Sequence, residues 1–174
     1  PDPALRNPDD LAGRLCPPFF LPRDYDAARD VMDLNPEASA GYYFVNARTR
    51  HIDARLAHAV ADGITQVVVL GAGFDSRAYR FAPRHPSLHF IEVDLPATIA
   101  AKQQAVIRAL GRLPAYVRYA PIDCDTQSLE QVLASAGYDA RQRALFILEG
   151  VTMYVGVTGN DATFGFIAHH CASG

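Results

Sequence analysis

Residues 66–80, QVVVLGAGFDSRAYR, constrain the fold of this chain more than any other stretch. Val67, Val68, Val69 and Leu70 form a continuous apolar run, the pattern of a strand buried on both faces of a parallel sheet rather than of a half-exposed one. Gly71 and Gly73 follow at once and supply a sharp turn with no Cβ, so a ligand can approach the backbone closely. The segment reads as the first strand and nucleotide loop of a Rossmann-type domain, although the same turn serves packing alone in many α/β folds. The third glycine of a G-x-G-x-x-G fingerprint would fall on Ser76. Without that glycine there is less room for tight helix packing under a pyrophosphate, which favours a ligand lacking one.

A second strand is expected in HFIEVDLP, residues 89–96, ending at Asp94, 21 residues beyond Gly73. An acid at the end of the second strand stands beside the first loop, where its carboxylate accepts hydrogen bonds from the hydroxyls of a ribose. The competing use of Asp94 is to cap a helix that opens at Pro96. Glu92 is read as pointing to the opposite face.

Residues 1–45 are broken by Pro3, Pro8, Pro17, Pro18, Pro22 and Pro36 and are expected to form an N-terminal cap, leaving residues 46–174 as the ligand-binding domain. Helical spacing of apolar residues predicts a helix over 46–62, stopped by Gly63, and another over 96–110, stopped by Gly111. A third strand is predicted at 116–122, ending at Asp123, then a helix at 128–136 capped by Ser128. A fourth strand at 144–148 runs into Glu149, and a last helix is expected to be capped by Asn160 or Asp161. This βαβαβαβα order dictates a parallel sheet with helices on both faces. Because the sequence stops after a helix, further strands, or another chain along the sheet edge, are expected beyond it.

Of 174 residues, 49% are apolar and 20% charged, as in an ordinary globular domain, and the net charge of -3 offers no basic field for nucleic acid or an anionic membrane. No apolar stretch has the length of a membrane span and no leader is visible. Cys16, Cys124 and Cys171 are too scattered for a disulfide framework or a metal site, which points to a cytoplasmic setting and no bound metal. Oligomeric state is not written in the sequence.

The notable polar residues all fall at the carboxyl ends of the strands, where open parallel sheets bind ligands. Asp94, Asp123 and Glu149 would repel a polyphosphate and would surround a ligand offering hydroxyls, amines and positive charge. S-adenosylmethionine, a nucleoside carrying a sulfonium and an amino acid, meets that description. Asp94 would take its ribose, Asp123 would lie near its adenine, and the Gly71 loop and Glu149 would lie near its α-amino group. The methionine carboxylate needs a cation, for which Arg50 is the best candidate by position and Arg48 the alternative.

NARTRHID, GAGFDSRAYR, EVDLP and LEGVTMYV, in that order, closely resemble the leucine carboxyl methyltransferase family, including bacterial members described as S-adenosylmethionine-dependent O-methyltransferases. The resemblance covers residues 40–155 and implies a Rossmann-like class I methyltransferase fold. It places Arg50, Gly71, Asp94, Asp123 with Cys124, and Glu149 at cofactor-binding positions, with Ala72, Gly73 and Leu95 beside them. Cys124 stands where the family usually has Leu, and VGVTGND after Tyr154 lacks the family's usual proline and acidic residues.

The implied activity is methyl transfer to a carboxylate or hydroxyl of a small-molecule acceptor. A carboxylate nucleophile needs no base, whereas a hydroxyl would need one such as His51, His169, His170 or Tyr154. Tyr42, Tyr43 and Tyr154 are candidates for the acceptor pocket. The alternatives are a binding protein without turnover and a nicotinamide-dependent oxidoreductase, the latter disfavoured by Ser76 and by the acid after the fourth strand.

Overall fold

The computed structural model describes residues 7–16, 35–123 and 126–170. Helix α1 spans Ala12–Leu15 and α2 Pro36–Ala61. Strand β1 spans Gln66–Leu70, α3 Arg77–Phe81 with a 3-10 turn at Ala82–Arg84, and β2 His89–Asp94. Then follow α4 Pro96–Leu110, β3 Val117–Pro121, α5 Leu129–Ser135, β4 Ala144–Leu148 and α6 Val157–His170.

The four strands form one sheet in the order β3-β2-β1-β4, and every pairing is parallel. From β1 the chain steps through β2 to β3 in one direction, then returns to set β4 on the other side of β1. The strand order therefore reverses between β1 and β4, which is where an open α/β sheet leaves a crevice at its carboxyl edge. All five residues of β1 are buried, as its apolar run requires of a central strand. At the edge, β3 buries Val117 on one face and Ala120 on the other but leaves Arg118 exposed, and Pro121, which has no N–H to donate, is tolerated there.

The pleat divides the core in two. Val67, Val69 and Phe90 face α2, α3 and α4, meeting Leu56, Tyr79 and Val106. Val68, Leu70, Ile91 and Val93 face α5 and α6, meeting Leu133 and Phe166. Gln66, fully buried at the start of β1, uses its amide to bind the backbone of Asp139 in both directions, which fixes the approach to β4. Ser128 and Gln131 form a reciprocal capping box at the start of α5.

Three expectations are corrected. Helix α2 begins ten residues earlier than its periodicity suggests, so the boundary expected at 45/46 falls inside it. Pro36 opens the helix rather than breaking it, because a proline at the first helical position gives up only an N–H that would be unpaired anyway. Helix α6 begins at Val157, and Asn160 instead ties down the preceding turn by donating to the carbonyls of Thr152 and Val155. Glu92 shares a face with Asp94, as residues two apart on a strand must, and lies fully buried on the α3/α4 side.

Candidate ligand-binding site

Gly71 has φ +64, and a Cβ placed on it would collide with Val151 Cγ2. No side chain fits there, and none is conformationally welcome. The loop that follows is held from β2: Ala72 N–H donates to Val93 O at 3.0 Å, and Gly73 N–H donates to Asp94 Oδ2 at 2.7 Å. Asp94 Oδ1 accepts the N–H of Leu95. The cap position of α4 is Leu95, without a side-chain cap, so Asp94 does not act as the helix cap and instead ties the end of β2 to the glycine loop.

On one side of Gly71 lies a charged cleft of about 280 Å³, lined by the loop together with Arg48, Asp75, Arg77 and Glu149. Arg77 is the hub of this cleft and is only 5% exposed. It donates to Asp53 Oδ1 at 2.8 Å, to Asp75 Oδ2, and to Glu149 Oε2 at 2.7 Å. Burial alone would weaken its hold on a proton, but the charges of Asp75 and Glu149 outweigh burial and raise its pKa above the ordinary arginine value. Arg80 grips the other side of Asp53 with two donors. The second oxygen of Glu149 accepts from Arg48 Nε at 2.6 Å. Ser76, in the third-glycine position, is buried and donates to Asp9 Oδ2 at 2.6 Å while accepting from Arg80 Nε, so its hydroxyl anchors the segment before α1.

On the other side of Gly71 lies a larger and mostly apolar cleft of about 940 Å³ between α5 and α6. Asp94, Leu95 and Ile122 line its β2/β3 end, and Val151, Tyr154 and Phe166 its far wall. His169 and His170 also line it, each with Nδ1 bonded to a carbonyl of its own helix, Gly165 O and Phe166 O, at 2.9 Å.

The two clefts thus bring together Gly71, Ala72, Gly73, Asp94, Leu95, Glu149 and Tyr154. Asp123 lines neither cleft: it lies exposed just past β3, next to Ile122 of the apolar cleft, its carbonyl accepting from Gln127 N–H; Cys124 lies outside the described residues. Arg50 is exposed on α2 and lines neither cleft, nor do Tyr42 and Tyr43; of the two arginines on α2, Arg48 is the one that lines the charged cleft. His51 is likewise exposed on α2. Sequence reasoning did not single out Arg77 or Asp53. Among the described residues no group of acids, histidines and cysteines could hold a metal ion, and no helix is long and apolar enough to cross a membrane.

A doubly wound parallel sheet with a glycine loop, an acid ending β2 and a second acid after β4 defines a Rossmann-like nucleotide-type binding domain. The chain belongs to the leucine carboxyl methyltransferase family, whose model matches residues 9–168. A protein of Mycolicibacterium gilvum, named as a candidate S-adenosyl-L-methionine-dependent methyltransferase, is 33% identical over 181 aligned positions, covering 100% of this chain and 58% of the relative. A protein of Streptomyces coelicolor with the same designation is 35% identical over 133 positions, 76% of this chain and 46% of the relative. One from Mycobacterium sp. strain KMS, again so named, is 37% identical over 131 positions, 73% and 43%. The chain therefore spans about half the length of the curated relatives it matches. Among solved structures, the S-adenosylmethionine-dependent methyltransferase SibL in its apo form aligns with 77% of this chain and 38% of that one, at TM-score 0.47 and 19% identity.

Proposed function

We propose that this chain forms the S-adenosylmethionine-binding part of a methyltransferase acting on a carboxylate or hydroxyl of a small-molecule acceptor. The observation that carries the reading is the meeting of two clefts of opposite character at Gly71. One is charged and holds the Arg48–Glu149 pair; the other is largely apolar and begins at Asp94. A ligand spanning both needs a zwitterion at one end and, at the other, an apolar ring bearing vicinal hydroxyls, as in an amino acid joined to a nucleoside. The donor set fits that group. Arg48, Arg77 and Arg80 already face carboxylates, which leaves poor terms for a polyphosphate.

In this reading Asp94 accepts the ribose hydroxyls, since each of its oxygens keeps a lone pair beyond the one given to Gly73 or Leu95. Glu149 receives the α-ammonium, and Arg48 rather than Arg50 receives the α-carboxylate. Asp123 flanks the adenine after β3. S-adenosylmethionine supplies a methyl group on a positively charged sulfur, so the protein's task is alignment and exclusion of water. Should the acceptor be a hydroxyl, His169 offers a base on the wall of the apolar cleft, because a proton held on Nδ1 by the helix carbonyl leaves Nε2 to accept one, whereas His170 Nε2 stands 3.9 Å from Glu130 Oε1. In this reading Tyr154, 84% exposed on the rim of the apolar cleft, meets the acceptor, whereas Tyr42 and Tyr43 are exposed on α2 and line neither cleft.

Calorimetry tests the reading. S-adenosylhomocysteine should bind the full chain, and Asp94→Ala should weaken it roughly 10- to 100-fold, the worth of one or two charge-assisted hydrogen bonds. Absence of heat with both S-adenosylmethionine and S-adenosylhomocysteine would overturn it. Binding with no methylated product across an acceptor screen read by mass spectrometry would favour a binding role without turnover.

A further inference from the structure

Lys102 lies in the middle of α4 with none of its surface exposed. Its ammonium sits 2.8 Å from Glu92 Oε2 and donates to the carbonyl of Ala72 at 3.3 Å. Tyr79 donates to the same Glu92 oxygen at 3.1 Å and shares a hydrogen bond of 3.0 Å with Tyr119. The Lys102 ammonium also stands 5.7 Å from the centroid of the Tyr79 ring. The cluster therefore joins α3, β2, α4 and β3 beneath the glycine loop.

Such a pair is a poor way to stabilise a core, because two buried charges lose about as much hydration as they regain in attraction and an apolar pair of similar volume does as well. What this pair adds is a charge directed at one carbonyl. Ala72 is the residue between the two positive-φ glycines of the loop, and the same carbonyl accepts Asp75 N–H at 2.8 Å. Orienting the peptide that joins Ala72 to Gly73 also aims the Gly73 N–H at Asp94.

We propose that Lys102, held by Glu92 and Tyr79, is a positioning residue for the ligand site: it fixes the Ala72 carbonyl from below and so sets the shape of the glycine loop and the orientation of Asp94. The cofactor part of this inference rests on the function proposed above; the loop part does not.

The test replaces the two charges together, since removing one strands the other. In K102M/E92Q, thermal melting should stay within a few degrees of the native chain. Hydrogen exchange in a peptide covering residues 70–76 should quicken at least tenfold, and calorimetric affinity for S-adenosylhomocysteine should fall at least tenfold. Unchanged loop exchange in a folded variant overturns the proposal, whatever happens to binding. Faster exchange with undiminished S-adenosylhomocysteine affinity overturns its cofactor part. If the native chain binds no S-adenosylhomocysteine, the function above fails while loop exchange still decides the role of Lys102. Should the double variant not fold, K102Q read at pH 6 takes its place: burial pushes Glu92 up to about 7, so there it holds a proton and no charge is stranded. The same loop criterion then applies.

Discussion

Arg77 Nη1 lies 2.7 Å from Glu149 Oε2, and that contact joins the helix after β1 to the residue that follows β4. It spans the point at which the strand order reverses, so the ion pair locks together the two sides of the ligand crevice. Through Asp53 the same guanidinium also reaches α2.

Replacing Arg77 with Met should destabilise the chain by about 3–5 kcal/mol, because Asp53, Asp75 and Glu149 all lose a partner in a region where Arg77 is nearly buried. Arg77→Lys should recover less than half of that loss, since a single ammonium cannot address three carboxylates from the separate donors of a planar fork. Urea unfolding measures both. A Met variant within about 1 kcal/mol of the native chain would show that the hub is not structural.

Much of this architecture is legible in the sequence because it is written locally. An apolar run of four, a glycine turn and the acids Asp94 and Glu149 at the ends of the second and fourth strands specify β1, β2, β4 and the crevice without long-range information. The Arg77 hub is not local: its partners stand 24 residues upstream and 72 residues downstream, and an arginine at the start of a helix reads as solvated. The one available signal was the Asp75-x-Arg77 spacing beside a second arginine three residues on. Arg48 and Arg50 differ only in their angle about α2, roughly 200°, and sequence offers no origin for that angle. Pro36 was ambiguous for a related reason, since a proline breaks a helix or opens one depending on what precedes it.

Stability should fall as pH rises from about 5 to 7. Burial raises the pKa of Glu92 from its ordinary value to about 7 against the opposing pull of Lys102, so across this window the folded chain holds a proton that the unfolded chain has released. Folding is then favoured at the acid end of the window and loses up to about 3 kcal/mol toward pH 7, a slope of about 1.4 kcal/mol for each step of one in pH. Above that pH this contribution is flat. Urea titrations at pH 5, 6, 7 and 8 on the native chain and on K102M/E92Q isolate it from the histidines, which both chains share. Equal pH slopes for the two would remove Glu92 as the cause.

The choice between Arg48 and Arg50 can be made with two ligands that differ only in the amino acid. Arg48 Nε already holds Glu149 at the charged end of the crevice, so an incoming zwitterion would replace one internal ion pair by two. Its carboxylate would then meet Arg48 and its ammonium Glu149. Arg48→Met should therefore weaken S-adenosylhomocysteine about 10- to 100-fold, the usual worth of a charge-assisted contact. The same change should leave 5′-methylthioadenosine, which lacks the amino-acid end, within about threefold of its native affinity, a difference below 1 kcal/mol. Arg50→Met, on an exposed position outside both clefts, should change neither. Parallel calorimetry on the three chains separates the cases: equal losses for both ligands in Arg48→Met would mean that the arginine supports the fold rather than the zwitterion, and a loss confined to Arg50→Met would return the carboxylate to Arg50.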